Sequence, residues 1–200
     1  MADAPDPQEP AATVMTSPML KAMSNPLRRR IVAVLAAQDH ARAADLAEQL
    51  RVPANKLSFH LRVLADAGMI VEAPEHARDR RDRVWKALLE SYRIGSPEEP
   101  VGPGDELPLA SYLSQMVLDQ QRMVAKVLEW APNYATGRDA DAKGQMSTGT
   151  LRLTNDEARR VFREVGEVLD RARDLHRSVD DGDAAVHTWD YTVMAARDDL

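Results

Sequence analysis

Asn55, Lys56, Ser58, Phe59 and Arg62 fall within one short segment and share one side of the chain if that segment is helical. An amide, an ammonium, a hydroxyl, an aromatic ring and a guanidinium in that grouping are suited to touching base edges and phosphates. Such a face recognises; it makes and breaks no bonds. The residues around it carry no competing chemistry. The sequence has no Ser-His-Asp layout, Gly-rich phosphate loop, Gly-x-Ser-x-Gly elbow or His-Glu-x-x-His pair, and an enzyme is not expected.

The elements needed to hold that face are legible nearby. Leu46, Ala47 and Leu50 place apolar groups on one side of a first short helix. Leu57, Leu61 and Leu64 do the same for a second, at the i, i+4, i+7 spacing of a buried face. Val52 and Pro53 supply an apolar plug and a backbone break between them. Residues 43–70 therefore read as a helix-turn-helix, with the rod from Ala54 to Ala67 as its outward element and Gly68 as its stop.

Upstream, Ser17-Pro18 and Asn25-Pro26 read as two helix starts, a polar N-cap followed by proline. The second helix runs to about Ala37, with Leu27, Ile31, Val34 and Leu35 as its apolar stripe. Arg28, Arg29 and Arg30 suit phosphate anchoring, but at least one must face the body and tie down the fold through a carboxylate. Downstream, Met69–Ala73 and Arg83–Leu88 read as strands, with Val84, Lys86 and Leu88 on one face and Trp85 on the other. The charged loop PEHARDRRD joins them. Helices followed by such a ribbon make a winged helix.

Residues 95–108 hold four prolines, three glycines and four acids, and read as a linker. Beyond it, Leu109, Leu113, Met116, Val117, Gln120, Val124, Val127 and Leu128 form a helical stripe that Pro132 should stop. Thr150–Leu153 reads as a short strand, and Thr154 with Glu157 as a capping box for a helix carrying Val161, Phe162, Val165, Val168 and Leu169. His187, Trp189, Tyr191 and Val193 alternate as a strand face. Trp130, Phe162, Trp189 and Tyr191 are expected to build the core of this rear half or line a cavity in it.

The expected fold is mainly α, of the α+β class. A disordered lead-in (1–16) precedes a winged helix-turn-helix domain (17–94). The linker (95–108) then leads to a helical, strand-helix-strand C-terminal domain (109–200) serving dimerisation or an effector. Charge supports that division. The 200-residue chain has net charge −6, but residues 1–95 hold 14 Lys/Arg against 12 Asp/Glu, and residues 96–200 hold 12 against 20. The front half is the basic one, and the local field governs approach to phosphates. The absence of cysteine excludes disulfides and thiolate metal sites and fits a reducing cytoplasm.

Three segments carry a resemblance to the ArsR-type winged helix family of bacterial transcription regulators: MSNPLRRRIVAVLA at 23–36, AADLAEQLRVPANKLSFHLRVLADAGMI at 43–70, and RRDRVWKAL at 80–88. Ser58, His60, Leu61, Leu64 and Gly68 stand where that family's recognition helix has them, while Asp82 occupies a wing-tip position where the family often has glycine. The resemblance implies a homodimeric repressor that binds double-stranded DNA at a pseudo-palindromic operator, its two rods in successive major grooves about 34 Å apart. It assigns base-edge reading to Asn55, Lys56 and Phe59. Phosphate or sugar contacts fall to Ser58, His60 and Arg62, and flanking-backbone contacts to Arg78, Arg80, Arg81 and Arg83.

Two alternatives use the same residues: a winged-helix protein-interaction module that leaves DNA alone, and a metal-responsive regulator of the same family. No cofactor is expected, and a small-molecule effector would be of unknown identity. For the metal reading, Asp174, His176, His187 and Asp190 have the spacing of a carboxylate-imidazole site, but Asp180–Asp183 with Gly182 interrupts the helix between the pairs.

Overall fold

The computed structural model describes residues 13–79, 82–88, 92–175 and 186–200. Two Pro-led helices open it. Helix α1 (Ser17–Met23) is capped by Thr16, whose hydroxyl accepts from the Met19 N–H. Ser17, the expected cap, donates its hydroxyl to the Asp105 carboxylate instead, at 2.6 Å. Helix α2 (Pro26–Ala37) is capped by Asn25, whose side chain accepts from the Leu27 and Arg28 N–H groups. Strand β2 (Ala41–Arg42) leads directly into helix α3 (Ala43–Leu50), which is followed by helix α4 (Ala54–Asp66). Ahead of them all, strand β1 (Thr13–Val14) pairs in parallel with strand β5 (Tyr92–Arg93).

The wing is a three-stranded sheet in the order β2-β4-β3, with β3 at Ile70–Glu72 and β4 at Val84–Ala87. Both neighbours run antiparallel to β4, in the registers Ala41↔Trp85 and Glu72↔Trp85. Val84 and Trp85 are both buried, so β4 begins with both faces covered instead of alternating in and out. Sequence pattern missed β2, because two residues are too few to show a period. The fold is α+β, with a winged helix-turn-helix at its front.

Leu20, Ile31, Leu35, Leu46, Leu57, Leu61, Leu64, Met69 and Ile70 form one core. Val32 joins the expected stripe of α2, as does Arg29. Arg29 and Arg28 do tie down the fold, but through carbonyls. Arg29 Nη1 donates to Met23 O at 2.8 Å, while Arg28 Nε and Nη2 donate to Ala22 O and Lys21 O. The reason is that the last turn of α1 leaves carbonyls without intrahelical donors, and two guanidinium groups one turn into α2 lie within reach.

Three helices end alike. After α4, Gly68 (φ 71°) turns left-handed, the Met69 N–H reaches Leu64 O, and the Gly68 N–H reaches Ala65 O. After helix α5 (Glu106–Ala135), Gly137 (φ 71°) does the same with bonds to Asn133 and Tyr134. After α3 the left-handed residue is Arg51 (φ 54°), with the Val52 N–H on Ala47 O and the Arg51 N–H on Glu48 O. Among the described residues Arg51 is the non-glycine in that conformation.

Several expectations are corrected here. Residues 13–16, assigned to a disordered lead-in, carry β1 and the buried Met15, because the edge of β5 offers backbone partners: the Met15 N–H donates to Arg93 O. Residues 95–108, read as a linker, fold against the front core. Ile94, Val101, Leu109 and Tyr112 pack on it, and Asp105 is only 7% exposed. Proline and glycine here shape turns, such as the Ser96–Glu99 pair of hydrogen bonds, instead of loosening the chain. Helix α5 passes through Pro132 and ends a turn later. Proline forfeits its own N–H bond, but the following turn closes regardless, with the Thr136 N–H on Pro132 O.

The chain divides into two compact units, Met1–Gln115 and Met116–Leu200, with the boundary inside α5. In the second unit helix α6 (Asn155–Asp174) begins with the expected capping box, Thr154 and Glu157 bonding reciprocally. The strands expected at 150–153 and 187–193 are absent: neither segment pairs in a sheet among the described residues, and an isolated strand leaves its backbone groups unmatched. Nor do the aromatic residues make a core. Phe162, Trp189 and Tyr191 are exposed, and no described residue of this unit is buried. Among the described residues no helix is long and apolar enough to cross a membrane.

Replacing Arg51 by glycine removes a left-handed side-chain penalty of about 1 kcal/mol. Arg51→Gly should therefore raise the urea midpoint without changing the slope of the transition; a lowered midpoint would contradict the assigned turn.

Candidate nucleic-acid interface

Helix α4 is held by its leucines. At 100° per residue Leu57, Leu61 and Leu64 cover one side, and all three are fully or almost fully buried. Asn55, Lys56, Ser58, Phe59 and Arg62 occupy an arc of about 160° on the other side, and every one is exposed. Phe59 is 58% exposed, which is unusual for a phenyl ring on a helix that already has an apolar face. The structure thus brings these five side chains together as an outward row.

Local bonds set their postures. The Asn55 side-chain oxygen accepts from the Lys56 N–H at 2.8 Å, and the Ser58 hydroxyl donates to Ala54 O at 2.9 Å. Pro53 caps α4 without a side-chain bond; in the first turn the Lys56 N–H is taken by Asn55 and the Leu57 N–H by Pro53 O. The wing adds two exposed arginines. The Arg78 N–H donates to Asp82, while the Arg83 guanidinium is ion-paired with Glu72 and lies 5.6 Å from the centre of the Trp85 ring. Pairing with Glu72, across the sheet from β4, replaces the pairing with Asp79 or Asp82 that loop proximity suggests. Arg80 and Arg81 lie outside the described residues.

His60 is the correction in this set. It stands beside Leu64 and Leu57 on the helical wheel and is only 7% exposed, so it cannot serve as an open phosphate or sugar contact. Its Nδ1 is buried with no hydrogen-bond partner among the described residues, and its ring meets Phe59 edge-on at 5.4 Å. Burial pushes its pKa below the ordinary imidazole value, and the charges of Arg28 and Lys56 push the same way. Those two cations also show that the field around α4 is positive.

Sequence reading missed Asp105. Its carboxylate takes the Ser17 hydroxyl, and its backbone carbonyl accepts from the Leu109 N–H at the start of α5. A lone aspartate inside a Pro/Gly-rich stretch carries no periodic signal that could have marked it. The proposed ligand set Asp174, His176, His187 and Asp190 is not assembled either. His176 lies outside the described residues, and Asp174, His187 and Asp190 form no cluster among those described. Residues 186–200 hold no strand or helix, and a contact between them and the end of α6 is made by Tyr191, whose hydroxyl accepts from the Arg173 guanidinium at 3.1 Å.

Residues 23–73 match a family of helix-turn-helix domains, a span from the end of α1 through β3. No curated protein matches the chain. Two solved structures of a double mutant of ZitR from Lactococcus lactis, one of them in the apo form, each share 13% identity with it and cover 74% of it. That alignment spans 83% of the apo chain and 75% of the other, at a TM-score of 0.33 in both cases, below what a common fold requires. The front unit thus carries a helix-turn-helix domain.

The buried imidazole generates a pH test. Because the folded state holds His60 below its ordinary pKa, the unfolded chain binds the proton more readily, and stability must fall as pH drops through the range below about 6.5. Thermal melts of the wild type between about pH 7 and pH 5 should show that decline, and His60→Leu should flatten it. An unchanged slope in the variant would count against the burial of this side chain.

Proposed function

We propose that the chain is a homodimeric transcription repressor that lays α4 of each protomer in the major groove of a pseudo-palindromic operator. The observation that carries this reading is the division of α4. Its leucines are spent on the core, while Asn55, Lys56, Phe59 and Arg62 stand exposed with Ser58 on the opposite side. Asn55 and Lys56 supply the donor and acceptor groups for base edges, and Phe59 supplies an apolar surface for a thymine methyl. Ser58 and Arg62 take phosphate or sugar oxygens. Arg78, Arg80, Arg81 and Arg83 extend the contact along the flanking backbone, as wing residues do. His60, being buried, is left out of the contact set.

Dimerisation rests on α5. Leu113, Val117, Val124 and Leu128 fall within an arc of about 60° and are all 41–55% exposed. Leu113, Val117, Gln120 and Val124 follow the 4-3-4 spacing of a coiled-coil seam, and a polar residue in such a seam favours one register. A row of this kind is costly to leave in water, and a two-fold axis satisfies it with an identical row. Two copies also match the symmetry of a palindrome. Occupying a promoter in this way is the mechanism of repression proposed, in the cytoplasm and without a resident cofactor.

The test is a gel shift with the DNA upstream of the chain's own coding region. Binding should weaken steeply between about 50 and 200 mM salt, since several phosphate contacts release counterions together. Lys56→Ala with Arg62→Ala should weaken it by at least about tenfold, given about 1–3 kcal/mol per good base contact, while circular dichroism stays unchanged. Full binding in that folded double variant would refute the placement of the reading face. Separately, Val117→Asp with Val124→Asp should convert a dimer to a monomer in sedimentation equilibrium; a wild-type monomer would refute the symmetric reading.

A further inference from the structure

A second cluster of chemistry sits away from α4, at the entry to the wing. His40 immediately precedes β2, and His76 closes the 3₁₀ turn Pro74–His76 that follows β3. The sheet order is β2-β4-β3, so this turn must cross β4 for His76 to reach His40. Glu75 marks the crossing, with its carboxylate 3.2 Å from Lys86 Nζ on β4. The outcome is that two imidazoles separated by 35 intervening residues stack at 3.8 Å between centroids, 16° from parallel. Each has an acid beside it: Asp39 Oδ2 lies 3.1 Å from His40 Nδ1, and Glu75 Oε1 lies 3.9 Å from His76 Nε2.

We propose that Asp39, His40 and His76 form a binding site for a divalent transition-metal ion of the zinc class, bridging the entry of β2 to the base of the wing. One ligand atom from each of the three lies within 4.8 Å of the others. Tetrahedral zinc with nitrogen and oxygen ligands at about 2.0–2.1 Å needs those atoms roughly 3.3 Å apart with their lone pairs converging, so binding requires the two imidazoles to turn out of their stacked planes. Two imidazoles and one carboxylate make the borderline donor set that such ions prefer over magnesium or calcium, which take oxygen shells. All three side chains retain an open side: His40 and His76 are each 36% exposed and Asp39 is 47% exposed. A metal can therefore enter and keep water as its fourth ligand. Glu75 offsets the charge of Lys86, so the approach is not closed by an unpaired cation.

The site is distinct from the Asp174, His187 and Asp190 grouping and stands whether or not α4 reads DNA. Its consequence is mechanical. The 3₁₀ turn opens the wing loop, and a bound ion would pin that turn to the strand that leads into α3.

Zinc titration of the full chain by calorimetry tests it. One equivalent should bind with a dissociation constant of about a micromolar or tighter, as several protein ligands on one ion allow. His40→Gln and His76→Gln should each weaken binding by at least about tenfold, a loss expected even for outer-shell partners. His176→Gln with His187→Gln should leave it unchanged. Both histidines are partly exposed, so the variants should fold, and their melting curves check it. Cobalt added to the wild type gives a readout free of substitutions: it should displace the ring proton resonances of two of the five histidines, His40 and His76. No uptake at about 100 micromolar free zinc, far weaker than protein sites of this class, would overturn the proposal. So would binding that survives both single variants, or cobalt shifts confined to His176 and His187.

Discussion

The burial of Leu57, Leu61 and Leu64 is the constraint on which the rest of the front unit depends. A helix has one circumference, and giving its apolar arc to the core decides what the remaining arc must do. Because the three leucines are anchored against α1, α2 and α3, Asn55, Phe59 and Arg62 have no freedom to turn inward. Removing any one leucine would cost about 2–5 kcal/mol, a large part of the stability of a small domain. Rigidity of the outward row is thus a by-product of hydrophobic burial.

The remaining parts of the front unit support that helix from behind. Arg28 and Arg29 close the open end of α1, the Arg51 turn joins α3 to α4, and the wing sheet contributes the buried Val84 and Trp85. Even the Pro/Gly-rich stretch takes part, through the half-buried bond from Ser17 to Asp105. The second unit is built differently. Its helix α6 is well capped, yet the described apolar residues of this unit lie exposed or half-exposed.

Much of this was legible in the order of residues, where the signal is periodic or local. The helix-turn-helix shows itself because leucines recur every three or four positions and Gly68 stops the rod. Asn25-Pro26 and the Thr154–Glu157 box fix helix starts through contacts within four residues. The outward row of α4 follows from the same arithmetic. His60 was also within reach of it: three residues from Leu57 and four from Leu64, it borders the buried arc, and its polar character and the family resemblance suggested otherwise.

What sequence determined here are the elements whose free energy is settled by neighbours along the chain: helix starts, helix stops and the apolar arc of each helix. Tertiary structure alone decided the pairing of β1 with β5, the seating of residues 95–108, the partner of Ser17 and the meeting of His40 with His76. Each of these joins residues far apart in the chain, through a single hydrogen bond or ring contact that leaves no repeating trace. The missing strands at 150–153 and 187–193 make the same point in reverse. Alternation marks residues able to form a strand, but a strand exists only where another backbone lies alongside to take its hydrogen bonds.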